Sequence, residues 1–225
     1  MTNPMTLVID VGSGASLPDS VTARRFVDAI KGVDTGKHKI VLKAQLFASV
    51  PPNIPLGYEV FHELYTYGEA AGYGVTASVF DVASLRHLLT YVVPFVKIAC
   101  RPVLYWLAGE VPRKVRVYRS IRRGHAATPF PEPHSEYEIR DLLCIPEYPA
   151  DAKDYDREVR SARDHSLAGI SDHTVGWDLF RAQTREHRGR RHGVALWEKH
   201  FILPDTTGPD VGPWACTPET LKEIM

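Results

Sequence analysis

Two histidines stand just after apolar runs, where their side chains could bind a metal ion. His173 follows the run 167–170, and His200 follows the run 194–197. Neutral imidazole is a common metal ligand, so histidines from two neighbouring strands could share one divalent cation. A single histidine of this kind is more often a hydrogen-bonded surface residue. The metal interpretation therefore depends on the two side chains converging.

Polar residues follow most of the other apolar runs as well. They are Asp10, Lys43, Gln45, Ser78, Asp81, Lys97, Tyr148, Ser171, Asp172, Glu198 and Lys199. Lysines that converge on one pocket could hold a phosphate or carboxylate as point charges. Each residue also has an ordinary interpretation: Asp10 could cap a turn, Tyr148 could pack between prolines, and a lysine at a strand end is commonly solvated. Convergence of the whole set would favour a functional role.

The elements that must position these residues alternate between apolar strands and amphipathic helices. The run 40–42 is continuously apolar, which is typical of a strand in a parallel sheet covered on both faces. The segment 23–30 repeats apolar residues at helical spacing on one face. We count about eight strands, which predicts a compact (β/α)8 TIM barrel occupying residues 1–225 as a single domain. An open doubly wound sheet is the alternative.

Two connections are too short or too rich in proline for a full outer helix. We therefore expect a helix to be shortened or missing near 101–113 and near 126–136. We place the last two strands at 167–170 and 194–197, with polar residues following their ends. In a parallel barrel the active site gathers at the carboxyl ends of the strands, so the polar residues above should meet at one mouth.

The composition excludes several classes of protein. The chain has 27 Lys plus Arg against 27 Asp plus Glu, and 44% of its residues are hydrophobic, which is ordinary for a globular protein and argues against a general nucleic-acid binder. We find no apolar run of membrane-spanning length and no signal-peptide pattern. The three cysteines include no CxxC motif, so we expect reduced thiols and a cytoplasmic protein without membrane association.

One stretch of the chain, 97–123, is strongly basic. It could be a solvated helix and strand edge, which is the interpretation we favour. It could instead bind an anionic partner such as a nucleotide sugar or a nucleic acid.

Four segments in the second half of the chain resemble the N-acetylneuraminate (sialic acid) synthase family. They read GISDHT at 169–174, WEKHF at 197–201, GPD at 208–210 and TPE at 217–219. The family patterns are GLSDHT, EKHFTL and GPD, followed by a helix that opens with a proline and acidic residues. Shorter matches occur at 43–45, 78–81, 96–99 and 148–149. The resemblance covers nearly the whole chain and is strongest from residue 142 onward.

This family condenses phosphoenolpyruvate with an N-acetylated amino sugar, typically N-acetylmannosamine, and releases phosphate. The resemblance implies that His173 and His200 bind Mn²⁺ or Mg²⁺, and that Lys43 and Lys97, helped by Ser171, hold phosphoenolpyruvate. It also assigns Gln45 and Ser78 to substrate binding, and a catalytic set of Asp10, Tyr148 and Asp210. The implied partners are these small molecules, with a homodimer as a candidate assembly.

The first half of the chain departs from the family pattern. Asp10 stands where the family has the longer Glu, and the segment 100–102, Cys-Arg-Pro, stands where the family has a glycine and a catalytic carboxylate. We expect the barrel domain alone, without the family's small C-terminal antifreeze-like domain. These departures leave two alternatives to an active synthase. One is a degenerate barrel that binds a ligand or partner without turnover; the other is a different metal-dependent barrel enzyme, such as a lyase, or a nucleic-acid-associated protein.

Overall fold

Eight parallel strands close into a barrel in sequence order, and the last strand pairs with the first. The computed structural model describes residues 4–49, 52–122, 139–161, 167–186 and 195–225. The prediction of a compact (β/α)8 barrel is confirmed, and the open doubly wound sheet is wrong, because an open sheet would leave its first and last strands unpaired.

The strands and helices alternate through most of the chain. The strands are β1 (Thr6–Gly12), β2 (Lys39–Leu46), β3 (Gly74–Val79), β4 (Val96–Ile98), β5 (Val117–Ile121), β6 (Ile139–Cys144), β7 (Leu167–Asp172) and β8 (Leu196–His200). The helices are α1 (Ser20–Lys31), α2 (Tyr58–Ala70), α3 (Val82–Leu88), α4 (Ala152–Ser161), α5 (Asp178–Glu186) and α6 (Pro218–Leu221). None of the helices in these described ranges is both long and apolar enough to cross a membrane.

Helix α1 shows how local sequence builds the outer layer. The Asp19 side chain accepts a hydrogen bond from the Thr22 amide at 2.7 Å and so caps the first turn. The apolar face of α1, which includes Phe26 and Ile30, is completely buried against the barrel. Burial of that face, rather than helix propensity alone, holds the helix in place.

The connection between β4 and β5 has no α-helix. A 3-10 helix, Pro102–Glu110, stands there instead, with proline in its first turn. This confirms the expected shortening near 101–113. The second expected gap, near 126–136, lies outside the described residues.

Strands β7 and β8 extend further than we predicted from the sequence. β7 continues to Asp172 and β8 continues to His200, so polar residues that we placed after the strands belong to them. Successive side chains in a strand face opposite sides of the sheet. Glu198 and His200 therefore face the barrel interior, whereas Lys199 faces the surrounding helices and lies 5.3 Å from the centre of the Trp177 ring.

Candidate active site

One cavity of about 420 Å³ lies at the carboxyl ends of the strands. Its wall includes all ten of the site residues proposed from the sequence, namely Asp10, Lys43, Gln45, Ser78, Lys97, Tyr148, Ser171, His173, His200 and Asp210. Residues that were not in that set also line it, among them Asn53, Phe80, Cys100, Arg101, Ser120, Cys144, Glu198 and Trp214. The convergence on which the sequence interpretation depended is therefore present, although their chemical roles stay predictions.

The register of the strands places these residues side by side. Asp10 pairs with Lys43 on β2 and with His200 on β8. Ser78 on β3 pairs with Lys97 on β4. Because neighbours in register point to the same face of a sheet, these polar side chains meet inside the barrel.

The first cluster of the site centres on Asp10. Its carboxylate lies 2.6 Å from the Lys43 ammonium and accepts a hydrogen bond from the Gln45 amide at 3.2 Å. Lys43 also donates to the Ser78 hydroxyl at 3.0 Å. Burial opposes the charged form of Lys43, but the carboxylates of Asp10 and Glu198 outweigh it and raise the pKa of Lys43. Asp10 thus acts as the direct counter-ion of a buried lysine.

A second cluster forms around Glu198, which belongs to the longer list of polar strand-end residues but not to the ten proposed site residues. Its Oε1 atom accepts from the Ser171 hydroxyl at 3.0 Å and lies 3.8 Å from the Lys43 nitrogen and 3.6 Å from the Lys97 nitrogen. Burial would raise the pKa of Glu198, but the two lysines more than offset this and lower it. Its other oxygen, Oε2, is buried and has no hydrogen-bond partner within the described part of the chain.

Lys97 has fewer anionic neighbours than Lys43. Its nitrogen donates to the Ser120 hydroxyl at 2.8 Å and to the Ile98 carbonyl at 3.2 Å, and the nearest carboxylate is that of Glu198 at 3.6 Å. A buried ammonium held mainly by neutral oxygen atoms retains the ability to attract an anionic ligand. Lys97 is therefore the better placed of the two lysines to bind an anion.

The two predicted metal-binding histidines lie together, with ring centres 5.5 Å apart. The Nδ1 atom of His173 lies 2.8 Å from the Ile145 carbonyl oxygen, which can only accept, so Nδ1 carries the proton and Nε2 keeps its lone pair. Burial lowers the pKa of His173 to about 3, so this ring is neutral at physiological pH. A neutral imidazole held by its other nitrogen is the form that binds metals.

His200 lies between two carboxylates. Its Nδ1 atom is 3.2 Å from Asp210 and 3.5 Å from Asp10, yet within the described residues it has no aligned hydrogen bond. Burial disfavours the protonated ring, but the negative charge of Asp10 and Asp210 outweighs burial and raises the pKa of His200. Asp210 is held in turn by the Gln45 amide at 3.1 Å.

The candidate donor groups for a metal ion are the two imidazoles of His173 and His200. Across the described ranges, no three His, Cys, Asp or Glu side chains are arranged to hold one ion together. The Nε2 atom of His173 does not take part in the hydrogen bond that fixes its ring, and the buried Nδ1 atom of His200 makes no aligned hydrogen bond within the described residues. These two residues fit a metal that takes its remaining ligands from water or substrate, as catalytic metals commonly do.

Aromatic side chains form one side of the cavity mouth. Tyr148, which is 50% exposed, stacks on His173 with ring centres 4.1 Å apart and meets Trp214 edge-on at 5.5 Å. Trp214 gave no signal in the sequence because it lies in a loop without periodicity. The Tyr148 ring therefore lies against both histidines, 4.1 Å from the centre of the His173 ring and 5.9 Å from that of His200.

Three residues from the longer set of polar strand ends, Asp81, Asp172 and Lys199, do not line the cavity. Asp81 accepts hydrogen bonds from the amides of Ser84 at 2.7 Å and Ala48 at 2.8 Å, so it caps α3 and joins it to a loop. Asp172 faces the helices and pairs with Lys199 at 2.9 Å. Structural contacts account for all three residues.

Three basic residues of the stretch 97–123 have defined positions within the chain. Lys97 faces the cavity, Arg119 pairs with Asp141 at 2.8 Å, and Arg122 pairs with Glu147 at 3.0 Å. Part of its charge is therefore neutralised within the chain.

Solved structures provide the comparison for this fold and site. No protein-family model matches the sequence, and no curated protein matches it either. An N-acetylneuraminic acid (sialic acid) synthetase from Leptospira borgpetersenii, solved with citrate, is 21% identical with a TM-score of 0.73, covering 99% of this chain and 81% of that one. A spore coat polysaccharide biosynthesis protein from Bacillus subtilis is 19% identical with a TM-score of 0.71, covering 98% and 66%.

A third similar structure is that of another synthase. It is a truncated 3-deoxy-D-arabino-heptulosonate 7-phosphate synthase from Thermotoga maritima, 15% identical with a TM-score of 0.65, covering 99% of this chain and 84% of that one. The chain therefore has the fold of a synthase-like (β/α)8 barrel. Within that class, its structural neighbours include the sialic acid synthase predicted from the motifs, so the resemblance is confirmed at the level of the fold.

Proposed function

We propose that this protein condenses phosphoenolpyruvate with the aldehyde of an N-acetylated amino sugar, N-acetylmannosamine or a relative, and releases phosphate. The observation that carries the proposal is that two buried lysines and two histidines line one cavity at the carboxyl ends of the strands. The reaction brings together an anionic substrate and an aldehyde on which negative charge develops. A site of this kind must bind the first by cations and stabilise the second electrostatically.

Lys97, Lys43 and Ser171 would bind phosphoenolpyruvate. Lys97 offers an ammonium whose nearest carboxylate is 3.6 Å away, and Arg101 adds a guanidinium at the cavity wall. Lys43 is fixed by Asp10 and Ser78, which would hold its charge in a constant position. Two positioned cations would neutralise the phosphate and carboxylate groups while the enol carbon remains open to attack the aldehyde.

His173 and His200 would hold a divalent ion, Mn²⁺ or Mg²⁺. When bound, such an ion supplies Lewis-acid polarisation of an aldehyde oxygen. Gln45 and Asp210 lie 3.1 Å apart beside His200 and would orient the hydroxyl groups of the open-chain sugar. The Tyr148 ring would cover the reacting groups and limit water.

A degenerate barrel without turnover is the second candidate. It is favoured by the absence of a carboxylate at 100–102, where Arg101 lines the cavity, and by the ion pair that already occupies Asp10. A positioned acid or base typically contributes about 10²–10⁴-fold to a rate. On this account the protein binds metal and phosphoenolpyruvate but turns over N-acetylmannosamine slowly or not at all.

Phosphate release distinguishes the two candidates. The purified chain is incubated with phosphoenolpyruvate, Mn²⁺ and a panel of aldoses that includes N-acetylmannosamine, and phosphate is measured over time. Sugar-dependent release that is lost in Lys97→Ala supports the synthase. A matched control is Lys39→Ala, because Lys39 is exposed at the opposite end of β2. Binding of phosphoenolpyruvate without release on any aldose supports the degenerate barrel, and absence of binding contradicts both.

A further inference from the structure

Arg101 is a cation of the cavity wall that has no carboxylate partner among the described residues. Its side chain is exposed, and its guanidinium lies over the Phe80 ring, 5.5 Å from the ring centre. Other arginines of the described ranges do form ion pairs with carboxylates of this chain, namely Arg24, Arg25, Arg119, Arg122, Arg157 and Arg181. The charge of Arg101 is therefore available to a ligand in the cavity.

The carboxylates that line the cavity already have basic neighbours. Asp10 lies 2.6 Å from Lys43, Glu198 lies 3.6 Å from Lys97, and Asp210 lies 3.2 Å from His200. None of these carboxylates forms an ion pair with Arg101. A guanidinium presents its N–H donors in a planar fork that matches two oxygens of a carboxylate or a phosphate. The chemistry of Arg101 thus suits an oxyanion that the protein itself does not supply.

The Phe80 ring orients the guanidinium of Arg101. A guanidinium over an aromatic face is attracted by the negative face of the ring. Phe80 is held in turn by an edge-on contact with Phe47, with ring centres 5.8 Å apart. A side chain that is oriented in advance loses less conformational entropy when a ligand binds. Arg101 is therefore partly preorganised for binding.

The position of Arg101 indicates which part of a ligand would reach it. Arg101 follows β4, beyond Lys97 and nearer the cavity opening. In the closed order of eight strands, β4 lies opposite β8, which ends at His200, and His173 follows the neighbouring strand β7. Arg101 and the two histidines therefore lie on opposite walls of one cavity. A ligand whose aldehyde lies at the histidines can direct its other end toward Arg101.

We propose that Arg101 binds an anionic group at the end of the acceptor remote from its aldehyde, so that the preferred acceptor is a sugar that carries a phosphate or a carboxylate. The inference rests on the proposed function, because that function places the aldehyde at His173 and His200. The guanidinium would donate two N–H bonds to two oxygens of the anionic group. A neutral sugar cannot make this charged contact and should bind less tightly.

Calorimetric titration of sugars onto the full chain tests this proposal, with Mn²⁺ present and phosphoenolpyruvate left out so that no condensation occurs. The probes are N-acetylmannosamine, its 6-phosphate and the corresponding uronate. At least one anionic sugar should bind more tightly than the neutral sugar by about 10- to 100-fold, the scale of hydrogen bonds to a charged group. Arg101→Ala should abolish this preference. Arg101→Lys should retain part of it, because lysine keeps the charge but loses the fork.

Two further variants locate the anionic group. Arg86→Ala is the matched control and should keep the preference, because Arg86 is exposed on α3 and does not line the cavity. In a titration with phosphoenolpyruvate, Arg101→Ala should lose less affinity than Lys97→Ala. Equal losses there would place an anionic group of phosphoenolpyruvate at Arg101 and overturn the proposal. So would a sugar preference that is lost in Lys97→Ala but kept in Arg101→Ala, or equal or absent binding of all three sugars to the unchanged protein.

Phosphate release, measured separately with phosphoenolpyruvate and each sugar, tests the proposed function itself. An Arg101-dependent preference for anionic sugars without phosphate release would contradict the condensation and support the anion subsite. Phosphate release that is equally efficient with neutral and anionic sugars would support the condensation and contradict the subsite. The two failures are therefore distinguishable.

Discussion

Strands β7 and β8 carry a buried acid–lysine cluster on each face, and the two clusters differ in what they leave unsatisfied. On the outer face, Asp172 pairs with Lys199 at 2.9 Å and also accepts from the Thr174 amide and the Trp197 ring. Lys199 in turn donates to the Thr174 carbonyl at 2.8 Å. Both charged groups of this pair have partners, and neither residue lines the cavity, as expected of groups that only stabilise the fold.

The inner cluster has similar residues and a different environment. Glu198 lies within 4 Å of two lysine nitrogens but keeps one buried oxygen that no described group satisfies, and a cavity of about 420 Å³ lies beside it. An unsatisfied buried polar atom costs stability, so its retention next to a cavity points to a ligand. Residue types alone do not separate structural from functional charges; the completeness of their bonding does.

The largest expected effect is on metal binding at the inner face. The double change His173→Ala with His200→Ala should abolish Mn²⁺ binding, because it removes both candidate imidazole ligands, while circular dichroism shows an unchanged fold. Calorimetric titration with Mn²⁺ measures this. Persistent binding in the folded double variant would mean that the two histidines are structural.

The next largest effect is on stability, at the ion pair of the outer face. Lys199→Ala should lower the free energy of unfolding by about 3–5 kcal/mol, since it leaves the buried Asp172 carboxylate without its cation. Urea denaturation measures the change, with Lys39→Ala as the exposed-lysine control. A loss below that of ordinary surface substitutions would remove the contrast between the two faces.

A smaller effect concerns the turn at the end of β1. Gly12 has a φ of 87°, and a Cβ there would lie 2.6 Å from the Ser16 hydroxyl oxygen and 2.7 Å from an Asp210 oxygen. Gly12→Ala should therefore lower the free energy of unfolding by about 2–3 kcal/mol, from backbone strain together with the crowding. Gly36→Ala is the matched control because Gly36 has a φ of 73° but open space around it, so it reports strain alone. Equal losses in both variants would show that crowding against Ser16 and Asp210 adds nothing to the backbone strain.

The smallest effect is a pH dependence at Cys100. Because its pKa is lowered to about 7, the thiolate fraction and hence the rate of iodoacetamide modification should rise with pH and reach half its maximum near 7. Burial raises the pKa of Cys216 to about 12, so that residue should react slowly across the same range. Mass spectrometry of the modified peptides separates the two sites. A midpoint for Cys100 above 8.5, the usual value for a free thiol, would contradict its thiolate-stabilising surroundings.

Much of the barrel and the predicted site could be obtained from sequence because apolar runs and specific motifs mark them. The extent of β8 could not be predicted from the sequence, because Glu198, Lys199 and His200 are all polar, which is typical of a loop. In the barrel, Glu198 and His200 face the cavity, whereas Lys199 faces outward and pairs with Asp172. Their charges are balanced by residues that are distant in sequence. Glu198 was missed as a site residue for this reason.

Residues in irregular segments were the other omission. Trp214 lines the cavity from a loop, where neither helical nor strand spacing indicates which way a side chain faces. The position of Cys100 and Cys144 in one cavity wall was also not predictable, because they lie at the ends of two strands that are separated by β5. Such positions follow from closure of the barrel and not from local sequence.

The central claim is that the inner cluster binds an anionic substrate, and calorimetric titration of phosphoenolpyruvate tests it most directly. The unchanged protein should bind, and Lys97→Ala should weaken the affinity by about 1.5–3 kcal/mol, the scale of a charge-assisted hydrogen bond. Lys39→Ala, at the far end of the barrel, should leave the affinity unchanged. Absence of binding by the unchanged protein, or equal affinity in the unchanged protein, Lys43→Ala and Lys97→Ala, would contradict the account.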